Sequence, residues 1–117
     1  MLNKHKMRIF KTGATRDNDE GKIDYEGFYN PLVVQRFGEY MDKHRHQADG
    51  QIRTSDNWQK GIPDESALDS LLRHVMDVWL HQRGFESEMT ESLLESLCAI
   101  VFNASVMILN LEKEKCP

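Results

Sequence analysis

Apolar residues recur at helical spacing in three segments of this 117-residue chain, and two stretches without a sustained period separate them. Leu32, Val33, Val34, Phe37, Tyr40 and Met41 form a broad stripe, which predicts a helix running to about His46. Asn30 followed by Pro31 starts it: Asn can accept from orphan backbone donors, and proline at the first helical position lacks only an N–H that would go unpaired anyway. Leu68, Leu71, Leu72, Val75, Val78 and Trp79 make one face of a second helix, which Asp64 or Ser66 can cap and Gly84 can stop after Gln82. In a third, capped by Thr90, apolar positions from Leu93 to Leu111 leave almost no polar face. A helix apolar nearly all round is central or lies at a subunit interface.

The intervening stretches carry turn chemistry. Residues 11–30 hold Gly13, Gly21 and Gly27 among Asp, Glu, Thr and Asn, and read as a loop. Residues 47–64 contain Asp49-Gly50, Gly61 and Pro63, and read as a long loop carrying Asn57, Trp58 and Lys60. There is no internal repeat and no strand-like alternation of convincing length. The expected fold is therefore all-α: a single domain over 1–117, mostly loop over 1–29, with long N-terminal and central loops. Three strong helices bury little by themselves, so a homodimer or higher homo-oligomer is expected.

Composition narrows the partners. The formal net charge is −4, from 15 Lys and Arg against 19 Asp and Glu, so the chain lacks the basic footprint of nucleic-acid binding. By inspection no apolar run approaches the roughly 18 residues of a membrane span, and Met1 to Lys11 lacks the apolar core of a secretory signal. The expectation is a soluble, cytoplasmic protein with no membrane partner. Cys98 and Cys116 form neither a disulfide framework nor a zinc pattern, and are expected as reduced thiols.

Acidic residues then suggest chemistry. Glu39 and Asp42 share one face of the first helix, His74 and Asp77 repeat that spacing in the second, and Glu91 and Glu95 lie one turn apart at the start of the third. Carboxylates projected from neighbouring helices are how a bundle surrounds a hard cation, since no single helix can do so. The same spacings also generate surface ion pairs, and Arg73 with Asp77 could be one of them. His74 could equally be a core histidine. Asn103, between Phe102 and Ala104, needs a bonding partner, either on a neighbouring helix or on a ligand. His44 and His46 point about 160° apart on a helix, which argues against zinc. Trp58 can plug the core or, beside Asn57 and Lys60, cover a nucleotide base.

The ordered set GATRD, DEGKIDYEGF, YMDKHR, DNWQKGIP, LLRHVMD and LCAIVFN, from about Thr12 to Leu111, closely resembles a phage and prophage family. It is the dATP/dGTP diphosphohydrolase N-terminal domain family, which includes the MazZ nucleotide pyrophosphohydrolases. The resemblance implies a divergent MazG-like all-α fold. It also implies Mg²⁺- or Mn²⁺-dependent cleavage of a (deoxy)purine nucleoside triphosphate, dGTP or dATP, to monophosphate and pyrophosphate. Carried over by residue, it places Lys22, Asp24 and Glu26 in the entry motif, and Glu39, Asp42 and His44 in the first helix. Asn57, Trp58 and Lys60 fall in the loop motif, Arg73, His74 and Asp77 in the second helix, and Glu95 and Asn103 in the third.

The roles that follow are a metal shell of Glu39, Asp42, Asp77 and Glu95, with Glu39, His74 and Asp77 catalytic. Lys22, His44, Asn57, Trp58, Lys60, Arg73 and Asn103 would bind substrate. MazG proteins carry E-x-x-E followed by E-x-x-D, whereas this chain has Glu39-x-x-Asp42 and His74-x-x-Asp77, with Glu95 nearest to the final acid. That departure keeps two alternatives in view: a non-catalytic helical module that binds a nucleotide or a host protein, and a phosphohydrolase that releases orthophosphate.

Overall fold

A computed structural model describes residues 7–18 and 20–115, so Cys116 lies outside the described residues, as do residues 1–6 of the segment read for a secretory signal. The chain divides into two compact units, Met1–Val34 and Gln35–Pro117. In the first, β1 (Met7–Ile9) pairs antiparallel with β2 (Thr15–Asp17), with Arg8 opposite Arg16. Gly13, at φ +88°, makes the reversal in a conformation that side-chain-bearing residues avoid, and its N–H donates to the Phe10 carbonyl. A single helical turn, α1 (Tyr25–Phe28), follows, capped by the Asp24 carboxylate accepting from Gly27 N–H at 2.9 Å. This stretch was expected as loop; three-residue strands and a four-residue turn are too short to leave a periodic signal.

The long helices follow. In α2 (Pro31–Lys43), Asn30 caps as expected, its Oδ1 accepting from Leu32 N–H at 2.9 Å. The helix ends before His46, because the chain doubles back there: His46 bridges to Ile52 across the turn that Asp49 and Gly50 make, with Gly50 at φ +86°. Phe37, Tyr40 and Met41 are half-buried, while Leu32, Val33 and Val34 are exposed.

α3 (Asp64–Gln82) ends as predicted. Gly84 takes φ +83°, its N–H donates to the His81 carbonyl, and Phe85 N–H donates to that of Leu80, which satisfies two carbonyls the helix leaves open. Its start differs from expectation, since neither Asp64 nor Ser66 caps it and Pro63 precedes its first residue. Asp64 instead accepts from Asn110 Nδ2 at 2.9 Å. α4 (Leu93–Lys115) begins after Ser92, whose Oγ accepts from Glu95 N–H at 3.2 Å, so Ser92 takes the capping role expected of Thr90.

α3 and α4 run antiparallel, since Asn110 meets Asp64, Asn103 meets Ser70, and Thr90, just before α4, meets Asp77. The facing positions recur at alternating steps of three and four: Ala67, Ser70, His74 and Asp77 on α3, and Ser96, Ala99, Asn103, Val106 and Asn110 on α4. They are small or polar. Ala67, Cys98, Ala99 and Val106 are the buried apolar residues among those described. Small side chains let the two backbones approach, and the polar ones bond across the seam.

The large apolar residues lie elsewhere. Leu68, Leu72, Val75, Met76 and Trp79 on α3, and Leu94, Leu97, Val101, Ile108 and Leu111 on α4, are each between 41% and 62% exposed. At about 100° per residue these stripes fall on the opposite side of each helix from the seam. α4 also carries an 18-residue window of mean hydropathy 1.7, long and apolar enough by length and composition to cross a membrane. This corrects the expectation that no segment is. Ser96, Asn103 and Asn110 look like interruptions in the sequence, yet the Leu, Ile and Val around them outweigh them, and Asn103 and Asn110 bond to α3 or to the loop before it.

Candidate metal centre and cavity

One ligand atom each from His74, Asp77 and Glu91 lie within 4.8 Å of one another. Spacing of three on α3 puts His74 and Asp77 on the face turned to α4, and Glu91 comes from the segment leading into α4. Each carboxylate is held by a hydroxyl. Thr90 Oγ1 donates to Asp77 Oδ2 at 2.7 Å, and Thr90 N–H reaches Asp77 Oδ1 at 3.4 Å. Ser96, fully buried, donates from Oγ to Glu91 Oε1 at 3.2 Å. Asp77 is itself only 5% exposed.

The charge balance at this point is uneven. Neither Asp77 nor Glu91 pairs with a lysine or arginine among the described residues. His74 Nδ1 touches Glu91 Oε1, yet this buried nitrogen lacks a partner in hydrogen-bond geometry. Two carboxylates and an imidazole nitrogen thus converge, with hydroxyls orienting the acids from behind. A carboxylate as buried as Asp77, with only the Thr90 hydroxyl and N–H donating to it, is a place that a cation would stabilise. Nitrogen and oxygen donors at this separation form a set that a divalent cation fits.

A cavity of about 320 Å³ opens beside α2, lined in part by Tyr40, His44, Arg53, Asn57, Trp58 and Phe102. Trp58, in a single turn of 3-10 helix, packs edge-on against Phe102 with ring centroids 6.0 Å apart. The Arg45 guanidinium Nε donates to the Arg53 carbonyl at 2.8 Å, and Arg53 Nη1 donates to the His44 carbonyl at 3.2 Å, which stitches the doubled-back segment to the end of α2. Tyr40 stacks at a tilt on His44, 4.3 Å between centroids. Burial first, then the charge of Glu91, pushes the Tyr40 phenol up to about 12. Tyr40 therefore lies within electrostatic reach of the acid cluster while lining the cavity.

The chain matches no family model, no curated protein and no solved structure. Its chemistry must be read from the geometry.

The structure brings His74 and Asp77 together but disperses the rest of the expected metal shell. Glu39 pairs with Arg36 at 2.8 Å, Asp42 with Arg45 at 3.1 Å, and Glu95 with Lys43 at 2.6 Å, all on partly or fully exposed surface. Among the described residues the cluster has Glu91 where the resemblance implied Glu95. The reason is the start of α4: Glu91 precedes the helix and points to α3, whereas Glu95 lies in its first turn on the side of α2. The Lys43 hydrogen bond holds the Glu95 carboxyl below its ordinary value.

Asn103 takes the neighbouring-helix option. Its Nδ2 donates to Ser70 Oγ at 3.2 Å and to the Ala99 carbonyl at 2.9 Å, so the amide group has its partner within the seam. Arg73 is exposed and does not pair with Asp77, and Lys60 is exposed at the end of its turn. Lys22 belongs to the first unit. Sequence reasoning paired Glu91 with Glu95 but missed Thr90 and Ser96 as orienting hydroxyls, and it counted Tyr40 only as core. Sequence adjacency gave no signal for either, since Thr90 bonds Asp77 and Ser96 bonds Glu91, neither of them its neighbour in the chain.

Proposed function

We propose that the chain is a divalent-metal-dependent nucleotide pyrophosphohydrolase, cleaving a nucleoside triphosphate to monophosphate and pyrophosphate. The observation that carries this reading is the convergence of His74, Asp77 and Glu91, with no lysine or arginine partner among the described residues, together with an aromatic-lined cavity whose Tyr40 feels the charge of Glu91. His74, Asp77 and Glu91 would hold the cation. Bound there, a divalent ion supplies charge neutralisation for the phosphate oxygens and for the leaving pyrophosphate.

The chain's own groups do the remaining work. Glu91, oriented by Ser96, accepts the proton of the attacking water, whose oxygen forms a bond to the α-phosphorus as the bond to the β-phosphate oxygen breaks. Thr90 fixes the Asp77 carboxylate so that it does not turn away from that site. Lys60 and Arg73, both exposed, offer positive charge to the triphosphate. The base enters the cavity between Trp58 and His44, where Asn57 and Arg53 present donors to its edge. A purine, in dGTP or dATP, and a MazG-like fold remain part of this reading through the sequence resemblance, as does a cytoplasmic location.

Self-association belongs to the same proposal. The ten outward apolar side chains of α3 and α4 offer on the order of 1,000 Å² per chain, above the roughly 800 Å² each partner contributes to a standard interface. A second copy covers them with the same kind of surface, giving a homodimer or higher homo-oligomer.

The test is to incubate the protein with each dNTP and NTP in Mg²⁺, Mn²⁺ or EDTA and to quantify monophosphate, pyrophosphate and orthophosphate. Metal-dependent monophosphate plus pyrophosphate is the expected result. Orthophosphate as the direct product would reassign the reaction. Because Glu39, Asp42 and Glu95 are spent in surface pairs, a non-catalytic nucleotide-binding module is the second reading. Saturable binding that survives EDTA, with no product from any nucleotide, would establish it.

A further inference from the structure

The donor set of the candidate centre is not all-oxygen. Beside the carboxylates of Asp77 and Glu91 stands the His74 imidazole, whose Nδ1 contacts Glu91 Oε1. Mg²⁺ is a hard ion that takes oxygen donors, keeps several waters and seldom accepts nitrogen. Imidazole suits the later first-row divalent ions, whose affinity for a given nitrogen and oxygen set rises from Mn²⁺ through Co²⁺.

We infer that the His74–Asp77–Glu91 centre selects a first-row transition ion over Mg²⁺, with Co²⁺ and Zn²⁺ bound more tightly than Mn²⁺. The inference rests on reading this cluster as a divalent-cation site, but it does not need the hydrolytic reaction. Three features of the site support it. The contact between His74 Nδ1 and Glu91 holds the ring at the acids. Thr90 and Ser96 orient the two acids, as outer hydrogen bonds do in metal centres. The three residues offer one ligand atom each, which leaves positions for water or for phosphate oxygens.

Replacing the imidazole by a carboxylate returns the set to all-oxygen. His74→Glu therefore moves the preference toward Mg²⁺.

The experiment is titration of the full chain, stripped of metal, with Mg²⁺, Mn²⁺, Co²⁺ and Zn²⁺ separately, read by calorimetry and by shift in melting temperature. Substoichiometric Mn²⁺ is added in parallel, and broadening of the histidine ring resonances is followed by NMR. Co²⁺ and Zn²⁺ should bind at least about tenfold more tightly than Mg²⁺. The His74 resonance should broaden before those of His44, His46 and His81, and His74→Glu should shrink the selectivity at least about tenfold.

Equal affinity for Mg²⁺ and the transition ions would overturn the inference. So would broadening that spares His74, or a selectivity that His74→Glu leaves unchanged. Should that variant fail to fold, the wild-type series and the NMR result decide alone. Selective binding with no turnover would leave this inference standing and remove the proposed reaction. Turnover with Mg²⁺ preferred in binding would do the reverse.

Discussion

The two sides of the α3–α4 hairpin are built on opposite principles. Toward each other the helices present Ala67, Ser70, His74 and Asp77 against Ser96, Ala99, Asn103 and Val106, small or polar residues that are mostly buried and bonded. Away from each other they present Leu, Val, Ile, Met and Trp, roughly half exposed. An ordinary amphipathic hairpin does the reverse, because burying large apolar side chains is its main source of stability. On the proposed reading, the seam makes room for a polar site and the apolar surface is left for assembly. Polar groups in the seam sacrifice hydrophobic stabilisation within one chain, which the proposed self-association would recover between chains.

Matched substitutions on the two sides should have opposite consequences. Val106→Asp places an unpaired charge at a position only 1% exposed, and should destabilise the fold by about 4 kcal/mol or more in chemical denaturation. Val101→Asp, at 48% exposure on the same helix, should leave the isolated chain's stability nearly unchanged and weaken self-association at least about tenfold by sedimentation analysis. If both variants lost the same stability and neither changed the mass of the assembly, the contrast between the faces would be wrong.

A smaller effect is expected from Asn103→Ala. The substitution removes the bonds to Ser70 and to the Ala99 carbonyl, and should cost about 1–3 kcal/mol in denaturant midpoint. It should leave KM for a nucleotide unaltered, since the amide is consumed inside the seam. A raised KM with unchanged stability would restore Asn103 to the substrate.

The three long helices were legible because each carries an apolar stripe longer than two turns. So were the caps at Asn30 and Gly84, where one residue type answers one backbone need. The β1–β2 pair and α1 were illegible, being shorter than any period that could announce them. The acids were found as residues but not as a set. Spacing places Glu39 with Asp42 on one face, yet Arg36 and Arg45, each three residues from its partner, claim them locally. Whether Glu91 or Glu95 turns to α3 depends on where α4 starts, which Ser92 decides and which the sequence offered equally to Thr90.

The smallest expected effects are in pH. Lys43 and Glu95 form a partly exposed pair worth below about 1 kcal/mol. Because the Glu95 carboxyl is lowered in the folded chain, its contribution is complete above the ordinary glutamate value of 4.5 and is lost as pH falls through the lowered one. Tyr40 behaves oppositely. Its phenol is raised from 10.0 to about 12, so its share of stability is full below pH 10.0 and is lost as pH rises toward 12. Ultraviolet titration should show a tyrosine ionising near pH 12 that Tyr40→Phe removes, while Lys43→Ala should flatten the acid limb of the melting curve slightly.

On the proposed function, Asp77 and Glu91, gathered with His74, form the working centre, and the acids paired on the surface do not. The most direct measurement is product analysis with nucleoside triphosphates for Glu91→Gln beside Glu39→Gln, each checked for folding by circular dichroism. The account predicts that Glu91→Gln lowers metal-dependent monophosphate and pyrophosphate formation at least about 100-fold, and that Glu39→Gln keeps most of it. Activity retained by Glu91→Gln and lost by Glu39→Gln would contradict it.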